Sequence, residues 1–303
     1  MDIYLPIAGQ SVNALFIVVL GFLVGVLSGM FGVGGGFLTT PLLIFYGIPP
    51  TVAVASAATQ ITGASVSGVM VHMRRGGVDV KMGVVMIAGG LLGSVFGAAL
   101  FRALQASGQI DVVIGFLYVL ILGWIGGIML KDALVALGYI GAEPQPEQQP
   151  RHNRWVASLP LRWRFYSSGL YISPVAPLAL GFIAGMLTVL LGIGGGFILV
   201  PAMIYLLGMP ARVVIGTSLV MILAVTAATT MVHSLTTRSV DIVLAALLLL
   251  GGVVGAQYGA ILTARLKPDL LRLGLSVIIL LVALRMLLGL TWRPDEIYSI
   301  ELL

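Results

Sequence analysis

The sequence predicts an all-α, polytopic membrane protein made of two similar halves, each of about five membrane segments (8–10 in total). Three observations carry that prediction. The 303 residues are 59% hydrophobic and only 9% charged, with a mean hydropathy of +1.11, and apolar stretches recur along the whole length. Those stretches, Ile242 to Val254 for example, do not alternate in hydrophobicity as the strands of a membrane barrel do. Finally, the run Gly32-Val33-Gly34-Gly35-Gly36-Phe37 returns as Gly192-Ile193-Gly194-Gly195-Gly196-Phe197, with Pro41 and Pro201 following at the same distance.

The first half holds apolar stretches at about 12–31, 36–47, 51–73, 80–101 and 110–131. No lysine or arginine precedes Arg74, so the first stretch lacks the basic flank of a secretory signal and is expected to remain in the mature protein. The second stretch is too short to span alone, at about 1.5 Å per residue against a hydrocarbon core of about 30 Å. A polar interval follows, rich in proline and arginine, with an amphipathic piece expected around Trp155 to Tyr166. The second half repeats the pattern at about 176–191, 196–208, 212–234, 241–263 and 269–290. The division is therefore 1–138 for the first transmembrane repeat, 139–175 for a polar cytoplasmic linker and 176–303 for the second repeat.

Residues 25–45 align with 185–205 without a gap, and beyond one inserted residue Pro49/Pro210, Ser56/Thr217 and His72/His233 correspond. Asp79 and Asp241 open the fourth stretch of each half, where an aspartate caps the first free N–H groups of a helix. With five crossings per half and an external N-terminus, twelve basic residues fall inside and four outside, as the positive-inside rule expects. Four crossings per half give eleven against five, so charge barely separates the two arrangements. An odd number of crossings makes the repeats inverted.

Three glycines in a row open a helix, since each costs about 1 kcal/mol relative to alanine in a helix interior. A backbone opened at membrane depth must find partners in the protein or in a wet cavity. A helix restarting at such a break turns free N–H groups and the positive end of its dipole toward the midplane, an arrangement that suits an anion. The rival reading is close helix packing, which explains the single glycines Gly21, Gly25, Gly29, Gly181 and Gly185 better than the triple runs. A phosphate-binding loop is excluded, because Phe37 or Phe197 stands where a lysine and hydroxyl are needed. Candidate substrate contacts are Gly34, Gly35, Gly36, Phe37, Gly194, Gly195, Gly196 and Phe197, joined by Ser56, Thr59, Gln60, Thr217 and Ser218 from the stretches that follow. With no cysteine, no buried carboxylate pair and three scattered histidines, no catalytic residue, metal site or cofactor is expected. The chain is not read as an enzyme, and nothing in it resembles a nucleic-acid module.

The pattern Gly25-x-x-Ser28-Gly29-x-x-Gly32-x-Gly34-Gly35-Gly36-x-x-x-x-Pro41, its second copy from Gly185 to Pro201, and the Gly216-Thr217-Ser218 that follows resemble the TauE/SafE family of sulfite-exporter-like proteins. The resemblance covers roughly 14–290 apart from the linker. It implies a multi-pass permease of the bacterial inner membrane that moves small sulfur-containing anions such as sulfite or organosulfonates. One departure is that the first half has Ala55-Ser56-Ala57 where the second has Gly216-Thr217-Ser218. Beside a secondary transporter working by alternating access, a passive anion channel and a non-transport membrane scaffold remain open. The expected partners are a small anionic substrate and the lipid bilayer.

Overall fold

A computed structural model describes residues 2–31, 35–74, 76–139, 162–263 and 268–291. Each of the ten apolar stretches became a helix: α1 Ala14–Phe31, α2 Gly36–Phe45, α3 Pro50–Arg74, α4 Val80–Ala106, α5 Ile110–Ala136, α6 Val175–Leu191, α7 Gly196–Tyr205, α8 Ala211–Val232, α9 Ile242–Thr263 and α10 Pro268–Thr291. Six helical segments among the described residues are long and apolar enough to cross a bilayer. The half-length α2 and α7 are not. Proline sets the start of α3 at Pro50 and precedes α8 at Pro210, where fixed φ and a missing N–H cost a helix nothing. Gly47 and Gly208, with φ of 97° and 71°, turn the chain after α2 and α7.

Two short hairpins were not anticipated. Strands β1 Asp2–Leu5 and β2 Gln10–Asn13 pair antiparallel before α1, and β3 Trp163–Phe165 pairs with β4 Leu170–Ile172 before α6. Their turns match, with Gly9 and Gly169 both at φ 68°. The expected amphipathic piece thus lies only partly among the described residues, and there Trp163–Phe165 is strand. The linker prolines Pro144, Pro146, Pro150 and Pro160 fall outside them. Beyond α8 the backbone widens into a π-helical turn, His233–Thr237.

The halves exchange partners. α1 lies along α9, and α4 along α6. Glycine makes this possible: a Cβ on Gly21 would sit 2.6 Å from the Leu248 carbonyl oxygen, and one on Gly97 would sit 2.9 Å from that of Met186. Side chains at Gly25, Gly29, Gly93, Gly255 or Gly259 would likewise collide with facing backbone. These are the small-residue faces that let membrane helices touch closely. The register advances in step, Gly21, Gly25 and Gly29 meeting Leu248, Gly252 and Ala256, so α1 and α9 run parallel. By contrast α3 and α8 run antiparallel, with Thr59 Oγ1 donating to Thr230 Oγ1 at 3.3 Å and Thr62 Oγ1 to Thr226 Oγ1 at 2.9 Å. Gly115 against Leu290 and Gly126 against Ile279 give α5 and α10 the same antiparallel sense.

Candidate functional site

The two glycine runs meet. A Cβ on Gly36 would approach the Gly192 and Ile193 carbonyl oxygens to 2.6 and 3.1 Å, so the start of α2 abuts the second run. Ile61 of α3 reaches both runs, touching the Cβ positions of Gly36 and Gly194, and its counterpart Ile222 of α8 lies 3.5 Å from the latter. In the next position of each helix, the Phe37 and Phe197 rings stack with centroids 4.5 Å apart and planes within 6°. Both rings are buried.

Each half-helix starts from a left-handed glycine, Gly35 at φ 68° and Gly195 at φ 75°. Any other residue would be strained there. The Gly35 carbonyl accepts from the N–H of Leu38 and Thr39, and that of Gly195 from Ile198 and Leu199. The N–H groups of Gly36, Phe37, Gly196 and Phe197 have no backbone acceptor among the described residues. They are the free donors of a helix start, and α2 and α7 carry no carboxylate to repel an anion. Pro41 and Pro201 lack the N–H that would reach the Phe37 and Phe197 carbonyls, which frees acceptors beside those donors.

Two hydroxyls overlooked in the sequence flank these starts. Ser28 Oγ lies 3.4 Å from the Cβ position of Gly35, and Thr188 Oγ1 lies 3.5 Å from that of Gly195. Their signal was present: both stand in the same place in the duplicated motif. Thr39 Oγ1 donates to the Gly35 carbonyl and to Gln60 Oε1 at 3.1 Å, which ties buried Gln60 to the first run. The second half has Leu199 and Met221 at these places and no such link.

The other expected contacts hold the scaffold. Ser56 Oγ accepts from the Asp241 N–H at 3.2 Å, and Thr217 Oγ1 accepts from the Asp79 N–H at 2.9 Å. Ser218 Oγ donates to the Ile215 carbonyl of its own helix, and Thr59 Oγ1 to Ala55 as well as to Thr230. Gly34 lies outside the described residues. The structure therefore gathers Gly35, Gly36, Phe37, Gln60 and Gly194–Phe197, and it engages Ser56, Thr217 and Ser218 elsewhere.

Both aspartates cap as expected and also reach hairpins outside their own repeats. Asp79 Oδ1 accepts from the Met82 N–H at 3.0 Å, while Oδ2 accepts from the Ser168 N–H at 3.0 Å and its hydroxyl at 2.8 Å. Asp241 Oδ1 accepts from Val243 and Leu244, each at 3.1 Å, while Oδ2 accepts from the Ile7 N–H at 3.1 Å and the Ala8 N–H at 3.5 Å. The paired histidines differ. His233 is fully buried, with Nε2 3.0 Å from the Val189 carbonyl and the ring edge-on to Phe101, whereas His72 is half-buried.

The sulfite exporter TauE/SafE family profile matches residues 17–286. Relatives include a probable membrane transporter protein of Bacillus subtilis, YjnA, 30% identical over 272 residues that cover 89% of this chain and 98% of YjnA. A second, YunE from the same organism, is 25% identical over 282 residues, covering 89% and 96%. Sulfite exporter TauE/SafE family protein 6 of Arabidopsis thaliana is 46% identical over 52 residues, 17% of this chain and 12% of that one. No solved structure gives a significant match.

Proposed function

The chain belongs to the sulfite exporter TauE/SafE family and is a multi-pass membrane transporter; from that premise we propose that it exports small sulfur-containing anions, such as sulfite or an organosulfonate, by alternating access. The anion is held between the starts of α2 and α7, by the N–H groups of Gly36, Phe37, Gly196 and Phe197, with Ser28, Thr188 and the Gln60 amide nearby. The observation that carries this is the meeting of the two half-helix starts, sealed by the Phe37–Phe197 stack. Opposed helix starts supply partial positive charge without a buried cation, which leaves the anion free to depart. A buried aromatic stack favours an alternating route over a standing pore.

The repeats are inverted, five membrane segments each, in the bacterial inner membrane with the 139–175 linker in the cytoplasm. The antiparallel registers of α3 with α8 and α5 with α10 support this, because equivalent helices that touch antiparallel are related by an axis across them, not along them. Since α1 packs on α9 and α4 on α6, the moving bodies are exchanged sets of helices rather than the two sequence halves.

Replacing Gly35 or Gly195 with leucine is expected to abolish sulfite efflux from vesicles while the variant still inserts. Normal efflux would overturn the assignment. A thermal-shift panel of sulfite, thiosulfate, sulfate, sulfoacetate, taurine and phosphate identifies the anion, since a ligand of the native state raises the unfolding temperature. No shift with any sulfur oxyanion or sulfonate would remove this substrate class.

A further inference from the structure

Asp79 and Asp241 are buried carboxylates, 2% and 0% exposed. A buried charge needs compensation, and neutral N–H and O–H donors meet both oxygens of each. In both cases the two oxygens have separate partners. Oδ1 caps the residue's own helix, α4 or α9. Oδ2 binds the turn of a hairpin outside its own repeat: for Asp79, Ser168 in β3–β4, which leads from the linker into α6, and for Asp241, Ile7 and Ala8 in β1–β2, which leads into α1.

Each hairpin covers one end of a half-helix. Leu5 and Val12 of the first join the buried cluster of Leu43, Ile48 and Val52, at the end of α2 and the start of α3. Phe165, Leu170 and Ile172 of the second join Met203, Leu207, Met209 and Val213, at the end of α7 and the start of α8. The glycine runs lie at the far ends of those half-helices. Because α3 and α8 run antiparallel, the hairpins cover opposite ends of that helix pair.

We propose that the two hairpins are the gates of the transport route, and that Asp241 and Asp79 are the latches holding them shut; the inference rests on the alternating-access reading above. Lifting a hairpin breaks the Oδ2 bonds and uncovers the apolar side chains it buries, Leu5 and Val12 in one and Phe165, Leu170 and Ile172 in the other. The helix cap on Oδ1 survives and water rehydrates the released oxygen, so the latch adds to the apolar cost of opening without unwinding the helix below it. With both latches made, as in this structure, the route is closed at both ends. Transport alternates by releasing one latch while the other holds.

The chain contains no cysteine, so single reporters can be introduced without background. Thr40→Cys lies midway along α2, between the glycine run and the first hairpin, and Val200→Cys occupies the equivalent place in α7. Labelling by a membrane-impermeant maleimide is followed in right-side-out and inverted vesicles. Asp241→Asn turns a donor toward the Ile7 and Ala8 N–H groups and is expected to speed Thr40→Cys labelling about tenfold, from the periplasmic face alone, as loss of a charge-assisted bond does. Asp79→Asn is expected to speed Val200→Cys labelling similarly, from the cytoplasmic face alone. Ser168→Ala leaves both helix caps untouched and should give a smaller rise at Val200→Cys, so the test survives an aspartate variant that fails to fold. Unchanged labelling in all three variants, or both reporters rising together in any one, overturns the latches. Sulfite efflux by the unsubstituted chain is measured in the same vesicles. Normal efflux with unchanged labelling sinks the latches alone, and the expected labelling without sulfite efflux upholds them and removes the substrate.

Discussion

The two halves share their backbone devices and differ in the side chains around them. Left-handed glycines start both half-helices, an aspartate caps both fourth helices, and glycine faces join α1 to α9 and α4 to α6. Around this common frame the chemistry diverges. Only the first half ties its glycine run to a polar amide, through Thr39 and Gln60. Among the described residues the second hairpin alone is clasped by a cation: Lys81 Nζ donates to the Arg164 carbonyl at 3.2 Å and lies 5.1 Å from the Trp163 ring centroid. Val243 stands at the equivalent place in the second half and offers the first hairpin nothing comparable. Duplication supplies a frame; departures from symmetry give the two ends different properties.

Substitutions at paired positions break or sharpen that comparison. The largest effect is expected at the shared glycine faces. Gly25→Leu and Gly185→Leu should each destabilise the folded protein by about 3 kcal/mol, because facing backbone cannot yield as a side-chain tip can. Equal losses in detergent melting curves support a symmetric frame, and a loss confined to one would break it. Next come the aspartates. Asp79→Ala and Asp241→Ala should each cost about 2 kcal/mol, since Asp79 accepts three hydrogen bonds and Asp241 four. A loss confined to one of them would contradict the matched hairpin geometry. Gln60→Met, which gives the first half the residue of the second, should lower the efflux rate about tenfold, the equivalent of one lost hydrogen bond near 1.4 kcal/mol. Met221→Gln should leave the rate unchanged, and a gain there would show that the site is functionally symmetric. Smallest is Lys81→Val, expected to cost about 0.5 kcal/mol through the exposed cation–aromatic contact. Introducing lysine at Val243 should recover nothing, because Ile3 and Leu5 stand in the first hairpin where Trp163 and Phe165 stand in the second.

The sequence was informative where the physics is local. Long apolar runs located all ten helices, and proline and glycine marked several of their ends. Asp79 and Asp241 were readable as caps, because a helix start requires an acceptor whatever surrounds it. Their second role was not readable, since Ile7, Ala8 and Ser168 lie far away in sequence. The hairpins escaped notice because strands of three or four residues leave no periodic signal. Ser56 and Thr217 looked like site residues, being hydroxyls at matching positions beside the breaks. Their oxygens accept from the aspartate N–H groups, which equally explains why they match. The exchange of partners between halves is tertiary, and a glycine every fourth residue announces a close neighbour without naming it.

That exchange has a consequence for how the protein is made. When α1 leaves the ribosome, the strip formed by Gly21, Gly25 and Gly29 has nothing to rest on until Leu248, Gly252 and Ala256 have been synthesised and inserted. The first repeat cannot mature alone, and its exposed strip must wait in lipid or against the insertion machinery for most of translation. Chains truncated before α9 should therefore be cleared by membrane quality control rather than persist as half-transporters. A half-sized ancestor would have met the same requirement by trading α1 for that of a second copy.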